Sequence, residues 1–312
     1  MKIGYPNINL GIDRRAGKLF TVLSRKRDRI LEEARRNVEE LEAILKFNVE
    51  HNILFFRIRY DLIPFAADEG SGIDWRTEFG SDLARIGRFI RANGIRINIH
   101  PDIIIMLNHP DDKFLGKSVS DLKYQAEILD LMGLDQTAKI QVHAGERFNK
   151  DKEGSIRRFV ERFALLDDRV KRRLVIENEN VLCTFRDCLD IHMHTGLPVV
   201  PDVLHHEITG GGTEGIGRVL ELAMETWQVC DGLMMVDYSS QDPGRMTGKH
   251  SPGIDMQHFK KFIEASGVLD FDIMLELKDR ESSALKAVEA MKDDSRFKEG
   301  LIRKPVPAEC VY

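Results

Sequence analysis

A closed (β/α)8 TIM barrel is the fold class this sequence predicts, and three observations predict it. Eight short apolar runs recur along the chain, segments of helical periodicity separate them, and ligand-type polar residues stand at the carboxyl ends of six consecutive runs. The runs lie at 2–5, 53–58, 95–100, 140–144, 174–177, 198–203, 233–238 and 271–277. Most are rich in Ile, Val, Leu or Phe and nearly continuous in hydrophobicity, as strands buried on both faces of a parallel sheet must be.

After the first run, Ile30, Leu31, Ala34, Val38, Leu41, Ile44 and Leu45 recur every three or four residues over 29–48, a stripe that faces a sheet. Similar stripes at 80–93, 118–132, 153–166, 183–194, 213–227, 256–266 and 281–292 complete the alternation. Strand and helix in alternation imply parallel strands joined by right-handed crossovers. An open doubly wound sheet is the competing architecture, but no G-x-G-x-x-G follows the first strand to support it. A barrel fills 312 residues as one domain. No linker, low-complexity segment or composition shift divides the chain, so 1–312 is expected to be a single domain.

Composition then excludes function classes. With 42% hydrophobic and 31% charged residues the chain is neither disordered nor collagenous. No apolar run approaches the roughly 18 residues of a membrane-spanning helix. The amino terminus carries polar residues and Asp13 where a signal peptide needs an apolar core, so a cytoplasmic address is expected. Cys183, Cys188, Cys230 and Cys310 form no C-x-x-C pair and read as reduced thiols. The balance of 46 basic against 51 acidic residues, a net charge of −5, argues against a surface coated for bulk nucleic-acid binding and leaves room for a local basic face. An acid excess also arises where carboxylates gather round metal ions, whose charge the formal count omits.

In a barrel the active site forms at the carboxyl ends of the strands. There the runs end in His100, His143, Glu177, Asp202, Asp237 and Glu276. The first run adds Tyr5, with Asn7 and Asn9 beyond it, and the second adds Arg57 and Arg59. So many carboxylates in one low-dielectric site would be forced to take up protons, and divalent cations remove that conflict. Histidine and carboxylate without thiolate suits Mn²⁺, Zn²⁺, Mg²⁺ or Fe²⁺ rather than a structural zinc. His205, three residues after Asp202 in D-V-L-H-H, turns towards the same centre, while His206 packs or faces solvent. His250 joins from the Gly-rich loop after strand seven; His51, His109, His192, His194 and His258 read as structural. Eight candidate ligands suit two or three ions, which points to phosphate-ester chemistry: adjacent metals generate hydroxide, polarise phosphorus and stabilise a leaving oxygen. Lys278 reads either as a phosphate partner or as a solvated charge, and Gly210 to Gly212 either as a phosphate cradle or as a flexible loop.

These residues sit in an ordered series of motifs: G-Y-P-N-I-N-L at 4–10, N-I-L-F-F-R-I at 52–58, I-P-F-A at 63–66, R-I-N-I-H-P at 96–101, V-I-E-N-E-N at 175–180, D-V-L-H-H at 202–206, S-Q-D-P-G at 240–244 and D-I-M-L-E-L-K at 272–278. The series resembles the UV damage endonucleases, metal-dependent barrels related in architecture to endonuclease IV and xylose isomerase. The resemblance implies incision of UV-damaged double-stranded DNA immediately 5′ to a photoproduct, with abasic sites a further substrate. It also implies two to three divalent ions, Mn²⁺ before Zn²⁺ or Mg²⁺; because duplex DNA must then reach the barrel mouth, the chain is expected to act as a monomer. By position His100, His143, Glu177, Asp202, His205, His250 and Glu276 match the family's ligands, and Tyr5 and Asn9 match positions beside the damaged bases. In this reading Glu177 and Glu276 are the catalytic carboxylates, Lys278 neutralises developing charge, and Arg57 lies on the DNA side.

The chain departs from the pattern at four places. Where many members read H-P-x-Q-Y, it has H-P-D-I-I, so Ile103 and Ile104 replace a pair that enters the duplex; an apolar wedge still unstacks a base step. Asp68 stands where a further histidine ligand is common, and Met235 with Asp237 replaces Lys-x-His, leaving Asp237 as a ligand and no lysine to be carboxylated. F-R-I-R-Y-D replaces a commonly Ser-containing stretch and brings Arg59 and Asp61 towards the site. Two other functions share the ligand set: a sugar isomerase or epimerase of the same barrel type, and a lesion-binding protein whose incision has decayed.

Overall fold

Eight parallel strands form in the order the apolar runs predict: β1 (Ile3–Pro6), β2 (Phe55–Ile58), β3 (Arg96–Ile99), β4 (Lys139–His143), β5 (Leu174–Glu177), β6 (Val199–Val200), β7 (Met235–Tyr238) and β8 (Asp272–Leu275). The computed structural model describes residues 1–12, 26–145, 148, 151–179, 183–209 and 214–300; Gly210 to Gly212 and Cys310 lie outside them. The strands hydrogen-bond in the order β6-β5-β4-β3-β2-β1-β8-β7. Between β6 and β7 the seam is closed by one parallel bridge, Asp202 with Asp237, where the Asp237 N–H donates to the Pro201 carbonyl at 3.0 Å. The last join of the barrel therefore passes through two of the predicted ligands.

Ten helices alternate with the strands among the described residues: α1 (Arg27–Glu50), α2 (Trp75–Ala92), α3 (Asp112–Leu131), α4 (Lys152–Ala164), α5 (Asp168–Lys171), α6 (Phe185–Thr195), α7 (Val203–Ile208), α8 (Ile216–Met224), α9 (Met256–Ala265) and α10 (Glu281–Met291). The α1 stripe is buried at Ile30, Ala34, Val38, Leu41, Ile44 and Leu45, as its period requires. Aspartates open many of these helices: Asp74, Asp111, Asp151, Asp167, Asp202 and Asp255 each accept a backbone N–H at the N-cap. The two short helices, α5 and α7, are too brief to show a periodic stripe, so the sequence does not announce them. Cys183 and Cys188 are buried free thiols and Cys230 is an exposed one. Among the described residues no helix is long and apolar enough to cross a membrane.

The barrel interior is layered by the two-residue period of its strands. Phe55, Val175, Val200, Met235 and Met274 form an apolar cluster separate from the outer core, and each stands two residues before Arg57, Glu177, Asp202, Asp237 and Glu276 respectively. Alternation puts the two members of each pair on the same face, one layer apart. Met235 is accordingly a filler of this middle layer and fully buried. At the amino ends of β3, β4 and β8, buried Arg96 pairs with Asp272 at 3.4 Å and buried Lys139 with Asp231. An apolar layer is thus held between two charged ones.

β1 approaches β2 so closely that a Cβ at Gly4 would lie 2.1 Å from the Phe55 carbonyl oxygen. Gly4→Ala should force the two strands apart and cost about 1–3 kcal/mol, in the range of overpacked cores. Urea unfolding of the two proteins measures this, and an unchanged midpoint would show that the pair spreads freely.

Candidate metal centre

The carboxyl ends of the strands bring six of the predicted ligands to one place because each lies one strand period above an inward-facing residue. Three overlapping groups result: His100, His143 and Glu177; Glu177, Asp202 and His205; and Asp202, Asp237 and Glu276. Within each group the ligand atoms lie within 4.8 Å of one another. Glu177 belongs to the first two groups and Asp202 to the last two, so the groups form a chain rather than separate sites. The His100 Nε2 lies 3.0 Å and the His143 Nε2 3.8 Å from Glu177 Oε2, while the His205 Nδ1 is 3.9 Å from Glu177 Oε1 and 3.7 Å from Asp202 Oδ2.

The side chains fit divalent cations on their own evidence of conflict. Asp202 is fully buried; its Oδ1 accepts the His205 N–H at 2.7 Å, but its Oδ2 has no hydrogen-bond partner, and neither does the buried Nδ1 of His143. Burial, reinforced by Glu177, Glu276 and Asp237, pushes the Asp202 carboxyl well above its ordinary range. Burial pushes Asp237 the same way, with Glu276 and Glu177 adding to it and Arg57 opposing. Burial alone would raise Glu177 too, yet His143, His100 and His205 hold it well below the usual value. Glu276, raised by burial but paired with Arg57, is pulled down to about 2. Burial lowers His143 from its ordinary value, which favours the neutral ring that a metal needs.

Supports of the cluster escaped the sequence reading. Gln141 donates its amide to Glu177 Oε2 and Asp237 Oδ2, both at 2.6 Å, and accepts from Arg57 and Asn98, both at 3.1 Å. Asn178 brackets Asp202, accepting its N–H at 2.8 Å and donating to its carbonyl at 3.2 Å. Their signal was available: Asn98 and Gln141 stand two residues before His100 and His143, on the same face of their strands.

The structure places the remaining predicted residues as follows. Arg57 is 3% exposed, donating to both oxygens of Asp237 at 2.9 and 2.8 Å and to Glu276. Tyr5 is fully buried, its hydroxyl donating to Asn48 at 2.7 Å and accepting from buried Asn9 at 2.9 Å. Asp68 joins none of the three groups; it caps a single 3₁₀ turn by accepting the Gly70 N–H at 3.0 Å. Lys278 is half exposed and ion-paired with Asp242 at 3.1 Å. His250 borders the cluster without entering a group, its Nδ1 2.7 Å from the Glu276 carbonyl and 3.7 Å from Glu276 Oε2. Arg59 pairs with Asp61 at 2.7 Å, and His206 packs with its Nε2 3.1 Å from the Glu214 carbonyl. Ile103 and Ile104 are 72% and 66% exposed at the barrel mouth.

A family model described as UV-endonuclease UvdE matches residues 18–309. The chain belongs to this family. Membership of the UV endonucleases makes it by family a DNA-repair endonuclease, and so a hydrolase. A UV DNA damage endonuclease of Clostridium perfringens is 35% identical over 294 residues, covering 94% of this chain and 71% of the relative. The crystal structure of SacUVDE superposes with a TM-score of 0.87 at 38% identity, covering 94% of this UV endonuclease and 98% of that chain. Endonuclease IV from Thermus thermophilus has a TM-score of 0.53 at 16% identity, covering 81% of this chain and 93% of its own, and shares the fold alone.

Because its pKa is raised, Asp202 holds its proton to higher pH in the ion-free protein, and a bound cation must displace that proton. Uptake of divalent ions should therefore release protons, and affinity should rise as pH rises through the raised value. Calorimetric titration of the chelated protein in two buffers of different ionisation enthalpy measures the release; identical heats would contradict it.

Proposed function

We propose that this UV endonuclease hydrolyses a phosphodiester of UV-damaged duplex DNA immediately 5′ to the lesion, using divalent ions, Mn²⁺ first, at the linked histidine–carboxylate groups. The observation that carries this reading is the sharing of Glu177 between His100 and His143 on one side and Asp202 and His205 on the other. One carboxylate between two ligand groups is how a protein sets two cations a few ångströms apart. Bound there, divalent ions supply Lewis acidity towards the phosphodiester and neutralise charge as it develops. The residues do the rest. Gln141 fixes the rotamer of Glu177, Asn178 fixes the backbone of Asp202, and the three histidines keep Glu177 ionised. Water's oxygen adds to phosphorus as the bond to the 3′ oxygen breaks, leaving a 3′ hydroxyl and a 5′ phosphate.

Recognition belongs to the mouth of the barrel. A cleft of about 490 Å³ opens beside the ligands, lined by His100, His143, His205, Asp102, Ile103 and Lys249. That volume suits a flipped nucleotide rather than a duplex. Asp102 builds the loop above it, accepting the Ile104 N–H at 3.2 Å and the Tyr60 hydroxyl at 2.7 Å. The exposed pair Ile103 and Ile104 then acts as an apolar wedge that unstacks the damaged step. Arg280 is better placed than Lys278 to meet a phosphate: its guanidinium interacts electrostatically with Glu276 and makes no side-chain hydrogen bond among the described residues. In this reading residues 1–312 act as one barrel domain and a single chain, in the cytoplasm with the DNA.

Glu177→Gln keeps the side-chain volume and removes the shared charge, so incision of a duplex bearing one defined photoproduct should fall by at least about 100-fold while the thermal transition survives. Wild-type nicking by this variant would remove Glu177 from the centre. Replacing Ile103 and Ile104 with alanine should weaken discrimination between damaged and undamaged duplex and leave ion loading unchanged. Equal preference before and after, in a competition binding assay, would take the wedge out of recognition.

A further inference from the structure

The group formed by Asp202, Asp237 and Glu276 differs from the other two in already containing a cation. Arg57 reaches up from β2 and bonds both oxygens of Asp237, at 2.9 and 2.8 Å, while its other terminal nitrogen bonds Glu276 Oε1. It is 3% exposed, and Gln141 accepts from it at 3.1 Å, so the guanidinium is fixed from two strands besides its own. From this position we infer that Arg57 takes the place of a divalent ion at Asp237 and Glu276, so that the centre holds two cations although its ligands form three groups. The inference rests on the metal-dependent reading above and refines its ion count.

Three physical points carry it. A guanidinium cannot lose its proton at any pH a protein survives, so unlike a lysine it cannot yield its charge to make room for a metal. A guanidinium that left this position would be buried without its partners, which is strongly unfavourable. The group is also the one without a histidine: its donors are oxygens only, two of which Arg57 covers on Asp237 and one on Glu276. The charge count agrees. Four carboxylates, Glu177, Asp202, Asp237 and Glu276, meet one positive charge from Arg57 and four from two divalent ions, leaving a small positive excess for an approaching phosphodiester. A third ion would add two more positive charges beside a fixed guanidinium.

The test is the number of ions per chain. The full-length protein, saturated with Mn²⁺ and freed of excess ion by gel filtration, should carry two Mn²⁺ per chain by mass spectrometry of the metal. Arg57→Gln should raise the count to three, because the vacated carboxylates then need a cation. Three ions in the unmodified protein, or two in a folded Arg57→Gln protein, would overturn the inference while leaving metal dependence standing. No bound ion in the unmodified protein would instead sink the metal-dependent reading and this inference with it. If Arg57→Gln does not fold, anomalous scattering from Mn²⁺ in crystals of the unmodified protein decides: two sites, neither touching Asp237, support the inference, and a site between Asp237 and Glu276 overturns it.

Discussion

Four carboxylates buried at one end of a barrel, Glu177, Asp202, Asp237 and Glu276, set the constraint that the surrounding structure must meet. Each would be stable in water, and each is costly inside protein unless an opposite charge or several donors attend it. The protein attends them unequally. Glu177 has three histidines and Gln141; Glu276 has Arg57; Asp237 has Arg57 and Gln141. Asp202 has only backbone donors and a histidine at 3.7 Å, and one of its oxygens is left without a hydrogen bond. The residual imbalance lies where two ligand groups meet, which is where an added cation gains most.

The barrel makes this concentration of charge tolerable by isolating it. Phe55, Val175, Val200, Met235 and Met274 separate the upper carboxylates from the lower ion pairs of Arg96 with Asp272 and Lys139 with Asp231. Each layer follows from strand alternation, so one residue deleted from a strand would exchange its charged and apolar faces together. The seam at Asp202 and Asp237 shows the same economy. Strand β6 is two residues long, and closure depends on a bridge between two acids whose backbones pair while their side chains enter the centre. Geometry of the centre and closure of the barrel are therefore one problem.

Strand alternation also explains how much was legible in the sequence. His100, His143, Glu177, Asp202, Asp237 and Glu276 could be read because each stands two residues beyond an inward-facing position of its strand, and all six arrive in the three groups. His205 was legible for a local reason, its spacing of three from Asp202, although the sequence shows a loop there and the chain forms the short helix α7. Residues placed by resemblance fared differently. Tyr5 and Asn9 occupy positions near the mouth, but their hydroxyl and amide are consumed by Asn48 and by each other inside the wall. Arg57 obeys the same strand period as the ligands, so the period gave its direction, inward, while its charge suggested DNA. Sign misled where geometry would have served: a positive residue one period above Phe55 meets carboxylates before it meets phosphate.

Recognition and chemistry rest on different supports. The centre is held by inward side chains of the strands, whereas Ile103 and Ile104 ride on a loop whose anchor, Asp102, is tied to Tyr60 on the neighbouring β2 connection. His100, directly before the loop's Pro101, links the two, through its Nδ1 3.1 Å from the Pro101 carbonyl and its Nε2 3.0 Å from Glu177. One imidazole thus spans from the base of the loop to the shared carboxylate. Because Ile103 and Ile104 are exposed on the loop while the strand-borne ligands enter the barrel, exchange of this pair leaves the three ligand groups in place.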